Sequence, residues 1–243
     1  MSDIPEFDFE QVASGRPLEV GMLLFDGVTF LDFIGPHTAF ASAGMAVHLV
    51  SDTLDPVVGD TGVSVLPTTT LDDCPERLDV LFVPGGHVGP TMRHRAKLDF
   101  LTARADTPYI TSVCTGSLVL AAAGLLDGYR AATHWATRHH LARLGVEVST
   151  ERVCVDRNRI SGGGVTAGID FGLALVAHLR GEDTAKLAQL AMEYTPAPPF
   201  DAGSPESAGT ALVDRFNAFA VSPEQSLLDA VSHVLDRRTA ATA

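Results

Sequence analysis

The sequence predicts an α/β fold in which a mostly parallel β-sheet is covered by helices on both faces. The main observation is that short strand-like runs alternate along the chain with longer helix-like runs, the order typical of parallel sheets with helical crossovers. A second is that residues 78–83 are almost continuously apolar, as a buried strand is. With 243 residues, 46% of them hydrophobic and 19% charged, the chain can bury the core that such a fold needs.

The first part of the chain contains strands, one helix and a hairpin before residue 84. Residues 1–17 are mostly polar and are interpreted as an extension, so the first strand is expected over 18–25. A helix is expected to begin near Gly35 and Pro36, because proline is favoured at the first helical position. The elements predicted after it are a strand over 46–50, a hairpin over 57–66, a strand over 78–83 and a helix over 91–105.

Cys114 lies between a strand-like run over 108–113 and a helix-like run over 115–124. A thiol at such a junction faces the free N–H groups of the helix, which is expected to lower its pKa from ~8.5 toward or below neutrality. Small neighbouring residues permit the sharp turn of a nucleophile elbow. We interpret Cys114 as a reactive cysteine; the alternative is a buried cysteine that acts as a small hydrophobic residue.

The second half of the chain continues the alternation and then changes character. Strands are predicted over 130–133, 146–150, 151–155 and 159–161, and helices over 165–179 and 182–194. Residues 195–205 are too rich in proline for a helix or an inner strand. A final amphipathic helix is expected over 224–237, where an apolar stripe should pack on the domain or on a second subunit; the stripe consists of Leu227, Val231, Val234 and Leu235. The predicted divisions are therefore an extension (1–17), a main domain (18–200) and a C-terminal arm with its helix (201–243).

Composition excludes several classes of function. A formal net charge of −13 argues against nucleic acid as a partner, since phosphate binding needs a basic surface. No apolar run approaches the ~18 residues of a membrane span, and the acidic N-terminus lacks the pattern of a secretory signal. Three widely spaced cysteines, Cys74, Cys114 and Cys154, do not form a disulfide framework. We therefore expect a cytoplasmic protein without a nucleic-acid or membrane partner.

Three predicted strands end in segments that can carry chemistry: the turn after Phe25, the Gly85-Gly86-His87 segment, and Cys114. Ligand sites in parallel sheets lie beyond the carboxyl ends of the strands, so these segments should converge on one rim. The N–H groups of Gly85, Gly86 and His87, with that of Thr115, could form an anion or oxyanion site. The alternative for the glycine segment is a tight turn.

Asp32 is the candidate acid/base, because it is a carboxylate surrounded by apolar residues at a helix entry. Burial raises the pKa of a carboxyl group and suits it to proton exchange near neutral pH; the alternative is a helix N-cap. Thr115 either binds the substrate, orients Asp32 or starts its helix. His134 follows a strand and is either a partner of Cys114 or a satisfied core histidine.

No metal or cofactor is predicted. His134, His139 and His140 do not recur at the i, i+4 spacing of a helical zinc site. The triple glycine at 162–164 lacks the dinucleotide-binding pattern, and no phosphate-binding loop is present.

Taken together, these motifs resemble the DJ-1/PfpI superfamily and, more narrowly, the bacterial isocyanide (isonitrile) hydratases. The resemblance extends from about residue 18 to 200, and its most specific part combines Val113-Cys114-Thr115-Gly116 with the proline-rich segment. The segments that carry it are 24–25, 31–37, 83–86, 111–120, 133–136, 162–171 and 193–200. The chain departs from the hydratases at His87-Val88-Gly89-Pro90, where the loop is one residue shorter, and in the first 17 residues.

The resemblance implies a flavodoxin-like three-layer sandwich with a cysteine at the nucleophile elbow. It implies that Cys114 is the nucleophile, Asp32 the acid/base and Thr115 a polar helper. It also implies that an isocyanide is hydrated to a formamide through a thioimidate, without metal or organic cofactor, by a homodimer.

Other functions remain open from the sequence. The sensing domain of an AraC-type regulator shares part of the elbow, but such regulators need ~100 basic, helical residues downstream and about forty follow Phe200 here. In the peptidase, glyoxalase and deglycase branch a histidine often follows the cysteine, where this chain has Thr115; glutamine amidotransferases usually have a glycine where it has Ser112. A redox sensor in which Cys114 is oxidised is the non-enzymatic alternative.

Overall fold

The computed structural model describes residues 16–242. Its strands are β1 (Glu19–Leu23), β2 (Ala46–Ser51), β3 (Val57–Val58), β4 (Ser64–Val65), β5 (Thr69–Thr70), β6 (Val80–Val83), β7 (Tyr109–Val113), β8 (Arg130–Ala132), β9 (Glu147–Ser149), β10 (Val153–Asp156) and β11 (Arg159–Gly162). Its α-helices are α1 (Phe30–Ser42), α2 (Arg95–Thr102), α3 (Gly116–Ala122), α4 (Arg138–Arg143), α5 (Ala167–Arg180), α6 (Glu182–Ala191), α7 (Pro205–Ala208), α8 (Thr210–Phe219) and α9 (Val221–Thr242).

Within the described residues, the main sheet has seven strands in the order β10-β11-β7-β6-β1-β2-β5. Every pairing in it is parallel except that of β10 with β11. The chain runs outward from β1 through β2 to β5 and then returns to β6 on the other side of β1. In open α/β sheets the ligand crevice lies at the carboxyl ends of the strands where the strand order reverses, which here is between β1 and β6.

Helices cover both faces of this sheet, which confirms the predicted α/β sandwich. One layer contains α1, α5 and α6, and the other contains α2, α3 and α4. The core between sheet and helices includes Phe82 of β6, whose ring stacks on that of Phe171 in α5 at a centroid distance of 5.5 Å. On the opposite layer, α9 packs against α4 and buries an apolar stripe that consists of Leu227, Ala230, Val231 and Val234.

The prediction that the first helix begins near Gly35 and Pro36 is wrong. The helix α1 begins at Phe30, so Pro36 lies inside it. Proline has no N–H and normally interrupts a helix; here the helix continues through Pro36, which packs closely on α5. A Cβ atom on Gly168 of α5 would lie 3.2 Å from Pro36 Cδ, so the two backbones approach as closely as a glycine allows.

Two further segments differ from the sequence expectation. The helix expected over 91–105 is divided into a 3₁₀ turn (Thr91–Arg93) and α2, and the helix α8 was not predicted at all. The sequence of α8 does carry apolar residues at helical spacing, namely Leu212, Val213, Phe216 and Phe219, so a local signal for this helix was present although none of its residues is buried.

Most of the predicted N-terminal extension, residues 1–15, lies outside the described residues. Arg16 donates hydrogen bonds to both carboxylate oxygens of Asp79, at 2.8 and 2.5 Å. Among the described helices, none combines the length and the apolar character needed to cross a bilayer.

Candidate active site

Asp32, Gly85 and Cys114 meet at the carboxyl ends of the neighbouring strands β1, β6 and β7. The Gly85 N–H donates a 2.9 Å hydrogen bond to Asp32 Oδ2. A Cβ atom on Gly85 would lie 2.5 Å from that oxygen and 2.7 Å from Cys114 Cβ. Only a glycine backbone therefore fits between the carboxyl group and the cysteine, and the convergence expected from the strand ends is found.

The backbone of Cys114 forms the sharp turn of a nucleophile elbow, with φ at 57°. Its N–H donates to the carbonyl groups of Gly163, at 2.8 Å, and Gly162, at 3.1 Å. Its carbonyl oxygen accepts hydrogen bonds from the hydroxyl groups of Ser117, at 3.1 Å, and Thr133, at 3.0 Å. A conformation this unfavourable for a residue with a side chain persists only when its surroundings fix it, and these four bonds do so.

Burial governs the protonation of the pair formed by Asp32 and Cys114. It raises the pKa of Asp32 to about 7, although the Gly85 amide and the Cys114 thiol favour the carboxylate. Burial, and then the negative charge of Asp32, raise the pKa of Cys114 well above its ordinary value, while the Thr115 amide opposes the shift. The thiol and the carboxyl group therefore compete to keep a proton.

The sequence-based expectation of a lowered pKa at Cys114 is wrong in direction. The helix behind it, α3, has seven residues, and one amide N–H from Thr115 faces the thiol. This partial charge is smaller than the combined effect of burial and of the adjacent carboxylate. Ionisation of the thiol consequently depends on proton transfer to Asp32.

Thr115 fixes the glycine loop on the elbow. Its hydroxyl group accepts a hydrogen bond from the Gly86 N–H at 2.9 Å and lies 3.0 Å from the Gly86 carbonyl oxygen, to which it can donate. It also stands at the N-cap position of α3, without a side-chain capping bond. The suggestion that Thr115 orients Asp32 is not supported by these contacts, since its hydroxyl group is bonded to Gly86.

The predicted oxyanion site is not preformed, because three of its four N–H groups are already used within the protein and the fourth, that of Thr115, faces the Cys114 thiol. Gly85 donates to Asp32, Gly86 donates to Thr115, and His87 donates to the Gly27 carbonyl oxygen at 2.9 Å. Gly86 adopts φ of 140°, where a Cβ atom would lie 2.2 Å from the Gly27 carbonyl oxygen. The loop is thus a tight turn, the alternative that the sequence left open.

A cavity of about 240 Å³ opens beside this loop. Its lining consists of Gly86, His87, Val88, Gly89 and Pro90 from the loop, and Pro223, Ser226 and Leu227 from α9. Cys114 is 6% exposed and does not line the cavity. Gly86 lines it, and so connects the cavity with the pair formed by Asp32 and Cys114. The contribution of α9 was not foreseen, because nothing local in its sequence indicates which part of the main domain it meets.

His134 is not brought to Cys114. Its Nδ1 accepts a 3.3 Å hydrogen bond from the Ala136 N–H, and its ring lies against Trp135 and Phe216 at centroid distances of 5.5 and 6.1 Å. In the described part of the chain no hydrogen bond or ring contact joins it to Cys114. The neighbouring Thr133 instead donates a hydrogen bond to the backbone carbonyl oxygen of Cys114, not to its thiol.

A possible metal-binding cluster lies outside this pair. His139 and His140 of α4 and Glu224 of α9 place their ligand atoms within 4.8 Å of one another. The sequence argument against a metal compared only the spacing of histidines and so could not find a carboxylate from a distant helix.

Comparison with known protein families identifies the family to which this site belongs. The family model described as the DJ-1/PfpI family matches residues 19–178, which is more than half of the chain and contains every member of the reactive site. The chain belongs to the DJ-1/PfpI family. The resemblance drawn from the sequence motifs is thereby confirmed.

Within the DJ-1/PfpI family, an isonitrile hydratase from Pseudomonas putida is 54% identical over 81% of this chain and 87% of its own length. A solved ThiJ/PfpI family protein from Pseudomonas syringae is 41% identical and superposes with a TM-score of 0.87, over 95% of this chain and 97% of that one. The transcriptional regulator GbdR of Pseudomonas aeruginosa is 31% identical over 69% of this chain, but this covers only 48% of the regulator.

Proposed function

We propose that this protein is an isocyanide hydratase, which adds water to R–N≡C and releases an N-substituted formamide. The observation that carries the proposal is a buried carboxyl group, Asp32, with a pKa raised to about 7 beside the Cys114 thiol. A nucleophile and a group that can both take and return a proton are what this hydration requires. The similarity to the isonitrile hydratase over most of both chains supports the same activity.

The first half-reaction uses the proton shared by the pair. Ionised Asp32 takes the proton of the Cys114 thiol as the sulfur attacks the terminal carbon of the isocyanide. Asp32 then delivers that proton to the same carbon, and the product is a thioimidate, R–N=CH–S–Cys114. The raised pKa of the thiol keeps the proton on sulfur until Asp32 takes it as the C–S bond forms.

The second half-reaction hydrolyses the thioimidate. Asp32, again ionised, takes a proton from water as the hydroxide adds to the carbon, and the nitrogen receives that proton. The tetrahedral intermediate expels the Cys114 sulfur, which recovers a proton from the hydroxyl group as the formamide C=O forms. The balance is one isocyanide and one water consumed and one formamide released, and no cofactor is required by these steps.

Two alternatives have less support from the site. A glyoxalase or deglycase of the same family commonly has a histidine after the nucleophile, where this chain has Thr115 bonded to the glycine loop. A redox sensor needs an exposed thiolate, whereas Cys114 is 6% exposed and burial raises its pKa.

We also infer that the protein is a homodimer, as the family resemblance implies. Two apolar side chains on α1, Leu31 and Ile34, remain 40% and 42% exposed on either side of Asp32 in the sequence. An apolar surface of this kind beside a reactive group is a natural interface for a second copy.

The proposal is tested by following the loss of aryl and alkyl isocyanides together with the appearance of their formamides. We expect turnover by the wild-type protein, none by Cys114→Ser, and a loss of about 10²-fold or more with Asp32→Asn, the lower range for removal of a general acid–base group. Cys74→Ala is the control, because Cys74 is also buried but lies outside the reactive site. Absence of turnover with several isocyanides, alongside activity on methylglyoxal, would instead favour the glyoxalase branch.

A further inference from the structure

The helices α4 and α9 are joined by two histidines and one carboxylate. His139 Nε2 lies 3.0 Å from Glu224 Oε1, and His140 Nε2 lies 3.0 Å from Glu224 Oε2. His140 is fully buried, while His139 and Glu224 remain partly exposed. The cluster is therefore accessible from one side and enclosed on the other.

Convergence of these three groups is not a consequence of helix geometry. Consecutive helical residues are about 100° apart around the axis and normally do not share a partner. In α4, nevertheless, the imidazole rings of His139 and His140 have centroids 4.0 Å apart, and both Nε2 atoms face the carboxylate of Glu224.

We propose that His139, His140 and Glu224 form a binding site for a divalent transition-metal ion of the Zn²⁺ type, separate from the reactive pair. Two imidazole nitrogens and a carboxylate are a ligand set that zinc uses, with the remaining position taken by water. Metal–ligand bonds of about 2.0–2.2 Å in a tetrahedron place ligand atoms roughly 3.3–3.6 Å apart. The observed 3.0 Å contacts would need to open by about half an ångström for the ion to enter, and the proton of each neutral imidazole would move to Nδ1 so that the Nε2 lone pair binds the ion.

An ion at this position would act on the cavity rather than on the reacting atoms. Glu224 lies between Pro223 and Ser226 in the part of α9 that lines the cavity. That part of the helix packs tightly on the loop, where a Cβ atom on Gly89 would lie 2.4 Å from Ser226 Oγ. Metal binding would therefore fix this wall of the cavity to α4.

The test is a titration of the chelator-treated full-length protein with Co²⁺ and with Zn²⁺. Visible d–d absorption of Co²⁺ reports four-coordination, calorimetry gives stoichiometry and Kd for Zn²⁺, and the Tm is measured with and without Zn²⁺. The variants are Glu224→Gln and His139→Ala, of which the second changes a half-exposed side chain and should fold normally. His233→Ala removes an exposed histidine on α9 as the matched control, and Cys114→Ser removes the thiol as a competing ligand.

We expect one equivalent of metal to bind and to raise the Tm in the wild-type, His233→Ala and Cys114→Ser proteins. Loss of one of three ligands should weaken binding at least tenfold, since about 10-fold to 100-fold is lost even when a group that only supports a ligand is removed. The proposal is overturned by unchanged affinity in both Glu224→Gln and His139→Ala, by loss of binding in Cys114→Ser, or by no saturable binding to the wild-type protein.

Discussion

The Asp32 carboxyl group lies wholly inside the protein, bonded through Oδ2 to the Gly85 amide and adjacent to the Cys114 thiol. Because burial disfavours the charged forms of both side chains, each of their pKa values is raised. Two groups that interact so closely titrate as a pair. The form of the pair that can react carries one negative charge, with the proton shared between carboxylate and thiol.

The charge of this pair determines the pH dependence of catalysis. Below pH 7 Asp32 is increasingly protonated and cannot take the thiol proton, so kcat/KM should rise with pH through a midpoint near the Asp32 pKa of about 7. The measurement is kcat/KM for isocyanide hydration in constant-ionic-strength buffers, corrected for the uncatalysed reaction. A flat profile across the neutral range would show that the Asp32 carboxyl group is not the base.

The same pKa shift predicts that Asp32 destabilises the folded protein at neutral and alkaline pH. Its folded-state pKa of about 7 exceeds the ordinary value of 3.8. The loss in free energy of unfolding caused by ionised Asp32 is therefore absent below pH 3.8 and grows as the pH rises toward 7. Above pH 7 it is constant, at no more than about 4 kcal/mol. We expect Asp32→Asn to raise the free energy of unfolding at pH 8. This increase over the wild-type protein should become progressively smaller as the pH falls toward 4.

Denaturant unfolding at a series of pH values measures this gain. The exposed Asp72 provides a control, since Asp72→Asn should give no pH-dependent gain. A destabilised Asp32→Asn at pH 8 would contradict the sign of the shift and would point instead to a structural requirement for the carboxylate.

At the scale of the element, α9 combines stability with the shape of the site. Its buried stripe packs on the layer that contains α4, and its first turns line the cavity beside the Gly85–Gly86 loop. The main domain is therefore not sufficient to form this cavity, because one wall comes from the C-terminal helix.

Truncation of the buried side chain of Leu227 tests this contribution. Leu227→Ala should lower the free energy of unfolding by about 2–5 kcal/mol, because it removes buried methyl groups and leaves a cavity. Leu190→Ala, at a side chain that is 75% exposed, should change it by less than about 0.5 kcal/mol. If the two variants unfold at the same denaturant concentration, α9 is not packed on the domain as the structure describes.

At the scale of the whole molecule, the strand order decides where the site lies. Return of the chain from β5 to β6, on the other side of β1, makes β1, β6 and β7 neighbours. Their carboxyl ends then bring together residues that are more than fifty positions apart, such as Asp32 and Gly85.

The inferred homodimer is a property of the molecule as a whole and predicts its mass in solution. Light scattering coupled to size exclusion should give twice the chain mass, and Ile34→Lys should shift the protein toward the monomer, because it places a charge in the apolar surface of α1. Asp72→Lys, which introduces a lysine at an exposed polar position outside α1, is the control that should leave the dimer intact. A wild-type monomer at all concentrations would contradict the inference.

Local pattern predicted the strands and the strand–helix turn at Cys114 well, and failed where packing overrides it. The strand over 46–50 and the hairpin over 57–66 were recovered because apolar periodicity and glycine turns are local signals. The start of α1 was misplaced because proline is favoured at the first helical position, whereas Pro36 lies in the interior of α1 and packs against Gly168. The direction of the Cys114 pKa shift was predicted wrongly, because burial of the thiol and then the Asp32 carboxylate, which comes from another strand end, both raise that pKa.

By itself, the sequence determined the fold class, the elbow at Cys114 and the candidacy of Asp32, since each depends on residues close together along the chain. Only the tertiary structure decided that the amides of Gly85, Gly86 and His87 are already bonded, that α9 lines the cavity, and that Glu224 meets the two histidines of α4. The physical reason is that burial, charge proximity and hydrogen-bond partners arise between segments far apart in sequence, which no local pattern specifies.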